Sequence, residues 1–74
     1  MTWGRWIKIF GRKAQNLSIG APVYFRRGNL PELGQIVGTG NELRVPLMRS
    51  DEAGQVSTRR VYWRNRSQLY ERLA

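Results

Sequence analysis

The residues best suited to chemistry in this sequence are arginines interleaved with aromatic side chains near its C-terminal end. Between positions 59 and 66 four arginines occur with no acidic residue among them. Arginine grips phosphate with a planar fork and stacks on bases, and aromatic residues between the cations add about 1–3 kcal/mol for each stacked base. This pattern predicts a nucleic-acid surface. The predicted contact residues, three of them from an earlier segment, are Arg59, Arg60, Arg64, Arg66, Tyr62, Tyr24, Arg26 and Arg27.

The same run must be divided between two faces if it forms a strand. Successive side chains of a strand point in opposite directions, so Arg60, Tyr62 and Arg64 would share one face. We assign the other face, with Val61 and Trp63, to the core. A basic cluster indicates a surface that attracts anions, but it does not identify the binding partner. An acidic protein surface and a merely solvated strand face therefore remain alternatives to nucleic acid.

The charge and composition of the chain point in the same direction. It has 74 residues with 13 Lys and Arg against five Asp and Glu, a formal charge of +8 at pH 7. Such a surplus favours a polyanionic partner. The sequence contains neither histidine nor cysteine, which excludes Ser-His-Asp and Cys-His catalysis and metal sites built on imidazole or thiolate. Asp51 and Glu52 are adjacent, have no third ligand in the pattern and fit a loop tip. We therefore expect a non-enzymatic protein with no cofactor and no metal.

Residues 1–18 form a basic amphipathic segment. Their apolar residues recur at helical spacing, with the basic residues mostly off that stripe. Two glycines weaken an isolated helix, so we predict that residues 2–13 are helical or extended and become ordered by docking on the domain, on a partner or on a membrane surface. Docking on a larger protein or membrane-associated complex would make the chain an accessory subunit, which is our alternative function. The predicted docking residues are Trp3, Trp6, Ile7 and Phe10.

The pattern changes after residue 20 from helical spacing to alternation, which is typical of short strands. Pro46 has no backbone N–H to donate to a neighbouring strand, so it is predicted to lie at a sheet edge. Leu43, Val45 and Leu47 alternate and are predicted to face the core, and a glycine-rich turn over residues 38–41 predicts a hairpin between the second and third strands. The five predicted strands cover residues 21–26, 33–38, 42–48, 56–63 and 68–73.

Five short antiparallel strands in so few residues can bury one face only by curling, so the predicted fold is an all-β, five-stranded small antiparallel barrel. The barrel domain is predicted over residues 19–74, preceded by the N-terminal segment over residues 1–18. No apolar run approaches the roughly 20 residues that span a bilayer, and basic residues and glycines interrupt any signal-peptide core at the N-terminus. We therefore expect a cytoplasmic protein.

The order of these motifs resembles a known class of small barrels. Gly20 followed by Val23, a glycine-centred loop, the stretch GQIVG at residues 34–38, a hairpin and a closing strand ending in Leu69 are similar to the Src-homology-3-type fold of KOW and Tudor-like domains. The GQIVG stretch also resembles plasmid-borne dihydrofolate reductases, which bind cofactor and substrate through a V-Q-I-Y strand. Residues 61–64 read VYWR and share only the valine, so reductase activity is the least favoured of the three functions.

Overall fold

A computed structural model of the chain describes residues 6–9 and 11–72. Over these residues it contains one antiparallel sheet of six strands in the order β1-β6-β2-β3-β4-β5, together with two short helices. The all-β class is confirmed. The elements are β1 (Trp6–Lys8), α1 (Gly11–Gln15), β2 (Pro22–Arg27), β3 (Leu30–Ile36), β4 (Arg44–Arg49), β5 (Tyr62–Asn65), a 3₁₀ helix (Arg66–Gln68) and β6 (Leu69–Arg72).

The centre of the sheet is a meander of β2, β3 and β4. A two-residue turn joins β2 to β3, with Arg27 opposite Leu30. The predicted hairpin between the next two strands is confirmed, because β3 and β4 pair with Ile36 opposite Leu47. Alternation along β2 places Val23 and Phe25 in the core.

The sheet is strongly curled. The rings of Phe25 in β2 and Tyr62 in β5 have centroids 5.2 Å apart, although β3 and β4 lie between the two strands. In a flat sheet these strands would be about 14 Å apart. Within the described residues, however, no ladder joins β1 to β5, so the sheet is not closed. We call the gap where its two ends approach each other the seam.

The core lies inside this curl. Its six fully buried large side chains come from β2, β3, β4 and β6, and Ile9 and Ala14 join them from the segment that precedes the sheet's centre. The described part of residues 1–18 therefore shares its core with the rest of the domain. The fully buried residues are Phe25, Ile36, Leu47, Leu69, Val23 and Val45.

In the described part of residues 2–13, predicted to be helical or extended, a strand comes first, and only residues 11–13 are helical, at the start of α1. Trp6–Lys8 is a strand, paired with β6 so that Lys8 lies opposite Tyr70, and the Ile9 N–H donates to the Leu69 carbonyl oxygen at 2.9 Å. Gly11, the first residue of the short helix α1, has a φ of +57°, a backbone conformation that favours glycine. Residues 6–8 thus form a strand by pairing with the edge of β6, although the apolar spacing of this segment resembles that of a helix.

The predicted burial of Val61 and Trp63 is wrong. Both are exposed, at 41% and 46%, whereas Tyr62 is only 8% exposed. The register explains the inversion, because Tyr62 lies opposite the fully buried Leu47 of β4. The strand is also shorter than predicted, since residues 57–61 form a loop that leads into β5. Leu43, predicted to face the core, is exposed because it precedes the first residue of β4.

Pro46 is not at a sheet edge, which corrects a second prediction. It is buried in β4, between β3 and β5. Its carbonyl oxygen accepts a hydrogen bond from the N–H of Val37, at 3.0 Å. Val37 directly follows the last residue of β3, so the missing N–H of the proline falls just beyond the β3–β4 ladder.

Gly34 is the position where the curled sheet leaves no room for a side chain. A Cβ there would lie 2.8 Å from the Met48 carbonyl oxygen and 2.8 Å from Cε1 of Phe25. We expect Gly34→Ala to lower the free energy of unfolding by about 1–3 kcal/mol in urea denaturation, because the clash involves backbone. In a Phe25→Leu background, Gly34→Ala should lower the free energy of unfolding by less, because one of the two clashing groups is the Phe25 ring. A change below about 0.5 kcal/mol in the wild-type background would contradict this packing.

Candidate nucleic-acid interface

Arg66 is part of the fold rather than of an exposed surface. It is 9% exposed and lies at the start of the 3₁₀ helix. Its guanidinium donates to the carbonyl oxygens of Ala14 at 2.9 Å, Asn41 at 3.0 Å and Thr39 at 3.3 Å. The Ala14 carbonyl belongs to the last turn of α1, where carbonyls lack partners within a helix. We therefore remove Arg66 from the candidate interface.

Tyr62 and Arg27 are also unsuited to the roles predicted for them. Tyr62 points into the core against Phe25, so it offers no open ring face for stacking. Arg27 forms an ion pair with Glu32 at 2.8 Å, and Arg49 pairs with the same carboxylate oxygen at 2.8 Å. The charge of Arg27 is therefore partly neutralised within the protein, since the two arginines share one carboxylate.

Two of the remaining predicted residues, Arg26 and Arg64, meet at the seam. A pocket of about 300 Å³ opens there between the two ends of the sheet. Arg26 reaches it from β2 and Arg64 from β5, and Lys8 lines it from β1. Strand order places β5 at one end of the sheet and β1 at the other, so the curl brings together cations that are far apart in the ladder. Gly28, Gln68 and Tyr70 complete the lining.

Neutral acceptors hold the two guanidinium groups at the seam. Nε of Arg26 donates to the Gly28 carbonyl oxygen at 2.9 Å, and its Nη2 donates to Oδ1 of Asn29 at 3.1 Å. Nη1 of Arg64 donates to the Trp63 carbonyl oxygen at 2.9 Å, and its Nη2 lies 3.4 Å from the Arg26 carbonyl oxygen. A guanidinium has five N–H donors, so each group keeps donors for an external ligand. Both side chains are oriented while their charge stays uncompensated.

The seam pocket is bordered by cations without acidic partners among the described residues. No carboxylate lines the seam pocket among the residues that the structure describes. The ion pairs found over the same residues are made by Lys13 with Glu71, and by Arg27 and Arg49 with Glu32. Lys8, Arg26 and Arg64 make no ion pair within the described residues, and unlike the other unpaired cations they converge on one pocket.

Arg60 extends this cationic surface, while Arg59 stands apart from it. Both are exposed in the loop before β5. The Arg60 guanidinium lies 4.9 Å from the centroid of the Tyr62 ring, and that of Arg64 lies 5.6 Å from the same centroid. Arg60 and Arg64 thus lie beside the same Tyr62 ring. Because Arg64 lines the seam pocket, Arg60 is next to the seam.

Tyr70 is a candidate that the sequence did not reveal. Lys8, Tyr70 and Tyr24 are directly opposite one another across β1, β6 and β2, so they form one row on the same face of the sheet. This face lies opposite the buried Phe25 and Leu69. The row places two aromatic side chains beside the seam. Only the pairing of β1 with β6 could have identified Tyr70.

The predicted N-terminal docking residues are only partly described. Trp3 and Phe10 lie outside the described residues. The Trp6 ring packs on Tyr24 with centroids 4.3 Å apart, and the guanidinium of Arg72 lies 5.5 Å from the Trp6 centroid. Ile7 is exposed on β1. Trp6 thus contributes to the sheet face next to the seam, and also lines a separate pocket of about 380 Å³ that includes Asp51 and Glu52.

Over residues 6–9 and 11–72, no helix is long and apolar enough to cross a membrane, and no group of three or more acidic side chains is placed to hold a metal ion. Comparisons with models of protein families, with curated protein sequences and with solved structures find no match to this chain.

Proposed function

We propose that this protein is a non-enzymatic nucleic-acid-binding domain whose interface is centred on the seam. The observation that carries the proposal is the convergence of Lys8, Arg26 and Arg64 on one pocket, whose lining includes no carboxylate of the described residues. Arg60 extends the interface, and Tyr24 and Tyr70 lie on the adjoining sheet face. Relative to the sequence-based prediction, the interface gains Tyr70, includes Lys8 from the N-terminal segment, and loses Arg59, Arg66, Tyr62 and Arg27.

The proposed mechanism is electrostatic. Each phosphate that meets a Lys or Arg side chain releases condensed counterions, and this release supplies most of the sequence-independent affinity. Arg26 and Arg64 are already held by backbone and side-chain acceptors, so binding has little rotamer freedom left to remove. Contacts of this kind position a phosphate backbone without reading its sequence.

The salt dependence of binding tests the proposal. Four phosphate contacts, from Lys8, Arg26, Arg60 and Arg64, should give a plot of log K against log salt with a slope of about −3 for a single strand and about −3.5 for a duplex. The measurement is fluorescence anisotropy with a labelled oligonucleotide at several NaCl concentrations. Absence of binding at low salt, or a slope near zero, would overturn the proposed function.

The small-barrel resemblance is part of the same proposal. The curl that brings Phe25 against Tyr62 favours a barrel-like description, with the seam in place of a closing ladder. We infer that the open seam is the binding end of a small barrel. Within the described residues no backbone ladder crosses the seam, and this allows side chains from both ends of the sheet to face one ligand.

An accessory subunit docked through its N-terminal segment is the second candidate function. Ile7 is exposed on β1, a strand paired only with β6 within the described residues. An exposed apolar residue on such a strand suits a protein contact. Deletion of residues 1–5 together with Ile7→Thr should abolish assembly in this case, and should leave oligonucleotide binding unchanged.

A further inference from the structure

Trp63 is the largest exposed apolar side chain among the described residues. It is 46% exposed and points away from the core, opposite in direction to the buried Tyr62. The guanidinium of Arg44, on the neighbouring strand β4, lies 5.8 Å from the centroid of its ring. Neither the fold nor the seam pocket uses this ring, because the core is built from other residues and the pocket lining does not include it.

The position of Trp63 relative to the seam is set by its neighbour. The Trp63 backbone carbonyl accepts a hydrogen bond from Nη1 of Arg64, so the cation of the seam and the indole ring belong to adjacent residues on opposite faces of β5. Within the described residues β5 pairs only with β4. A flexible chain whose phosphate is held at Arg64 can therefore cross the open edge of β5 to reach the ring.

An aromatic ring flanked by a cation suits an unpaired base. Stacking uses the π-face that every base has, and a neighbouring arginine adds a phosphate or cation–π contact. The bases of a duplex are already stacked on one another and offer no such face at a protein surface. We propose, on the basis of the proposed function, that the preferred ligand is single-stranded nucleic acid and that Trp63 stacks one of its bases.

The experiment compares two ligands and four proteins. The ligands are a single strand of about 12 nucleotides, within the site sizes of small single-strand-binding folds, and an abasic strand of the same length and charge. The proteins are the wild type, Trp63→Ala, Trp63→Phe and Val61→Ala, with affinity measured by anisotropy at fixed salt. Val61 is the matched control, because it is equally exposed, two residues away, and not aromatic.

We expect Trp63→Ala to weaken binding of the normal strand by about 5- to 100-fold, the equivalent of one lost base stack. Trp63→Phe, which keeps a ring, should remain within about threefold of the wild type, as should Val61→Ala. On the abasic strand all four proteins should bind alike. Circular dichroism and urea midpoints establish that each variant is folded.

The outcomes separate this inference from the proposed function. If the wild type binds neither strand, the proposed function fails. If it binds both strands with the expected salt dependence and Trp63→Ala changes neither affinity, the function stands and the stacking role is overturned. An equal loss for Trp63→Ala on the normal and the abasic strand would also overturn it, because the ring would then be acting on something other than a base.

Discussion

A variant in which Lys8, Arg26 and Arg64 are all replaced by glutamine is expected to bind a single-stranded oligonucleotide about a thousandfold more weakly than the wild type near 0.05 M salt. Each phosphate contact strengthens binding roughly tenfold under these conditions through counterion release. The slope of the salt plot should become shallower by about 2 units, because three contacts are lost at about 0.7 each.

The control for this experiment removes the same charge from other places. Lys13, Arg27 and Arg49 each form an ion pair with a carboxylate, and their replacement by glutamine also lowers the net charge by three. We expect this control to stay within a few-fold of the wild type, because net charge alone acts weakly and over a screened distance. Equal losses in the two triple variants would mean that overall charge, rather than the seam, governs binding.

The largest expected effect on stability is at Arg66. Replacing it with methionine keeps a long side chain but leaves the carbonyl oxygens of Ala14, Asn41 and Thr39 without their donor. Hydrogen bonds to a charged group contribute about 1.5–3 kcal/mol each, but the partly buried carbonyls of Asn41 and Thr39 can bond to water instead, so we expect a loss of about 3–5 kcal/mol in the free energy of unfolding. A domain of this length is stable by about 4–11 kcal/mol in total. The melting temperature should fall by more than about 12 °C.

Two further variants show whether this loss comes from geometry. Arg66→Lys keeps the charge but not the planar fork, and should lose about half as much. Arg60→Met is the control, because it replaces arginine with methionine at an exposed loop position. It should alter the free energy of unfolding by less than about 0.5 kcal/mol. Thermal and urea denaturation followed by circular dichroism measure all three. An Arg66→Met protein as stable as the wild type would show that the three carbonyls do not depend on the guanidinium.

Much of the fold could be read from alternation in the sequence. Val45 and Leu47 are buried as the period-2 pattern predicts, and Val23 and Phe25 are buried in the same alternation along β2. The prediction of which side chain is buried was wrong around Tyr62 and Trp63. Both residues are aromatic, and moving the register by one residue exchanges the two faces of the strand. Only the pairing with β4 determines which of the two side chains is buried, and its register places Tyr62 opposite Leu47.

The candidate site was less accessible to sequence reasoning, and for a different reason. Composition identified the surplus charge, and Arg26, Arg64 and Tyr24 were among the predicted contacts. Their convergence with Lys8 depends on the strand order of the curled sheet, which joins β1 to β6 across most of the chain. Nothing local in the sequence marks Arg66 as buried, since arginine is almost always exposed unless it is paired.

Arg64 belongs both to the fold and to the proposed ligand site. Its guanidinium lies 5.4 Å from the centroid of the Phe25 ring and also reaches the Arg26 carbonyl across the seam. The folded state alone gathers Lys8, Arg26 and Arg64 around one pocket. A polyanion bound there therefore shifts the folding equilibrium toward the native state by RT ln(1 + [L]/Kd), so that occupancy and resistance to unfolding are thermodynamically linked.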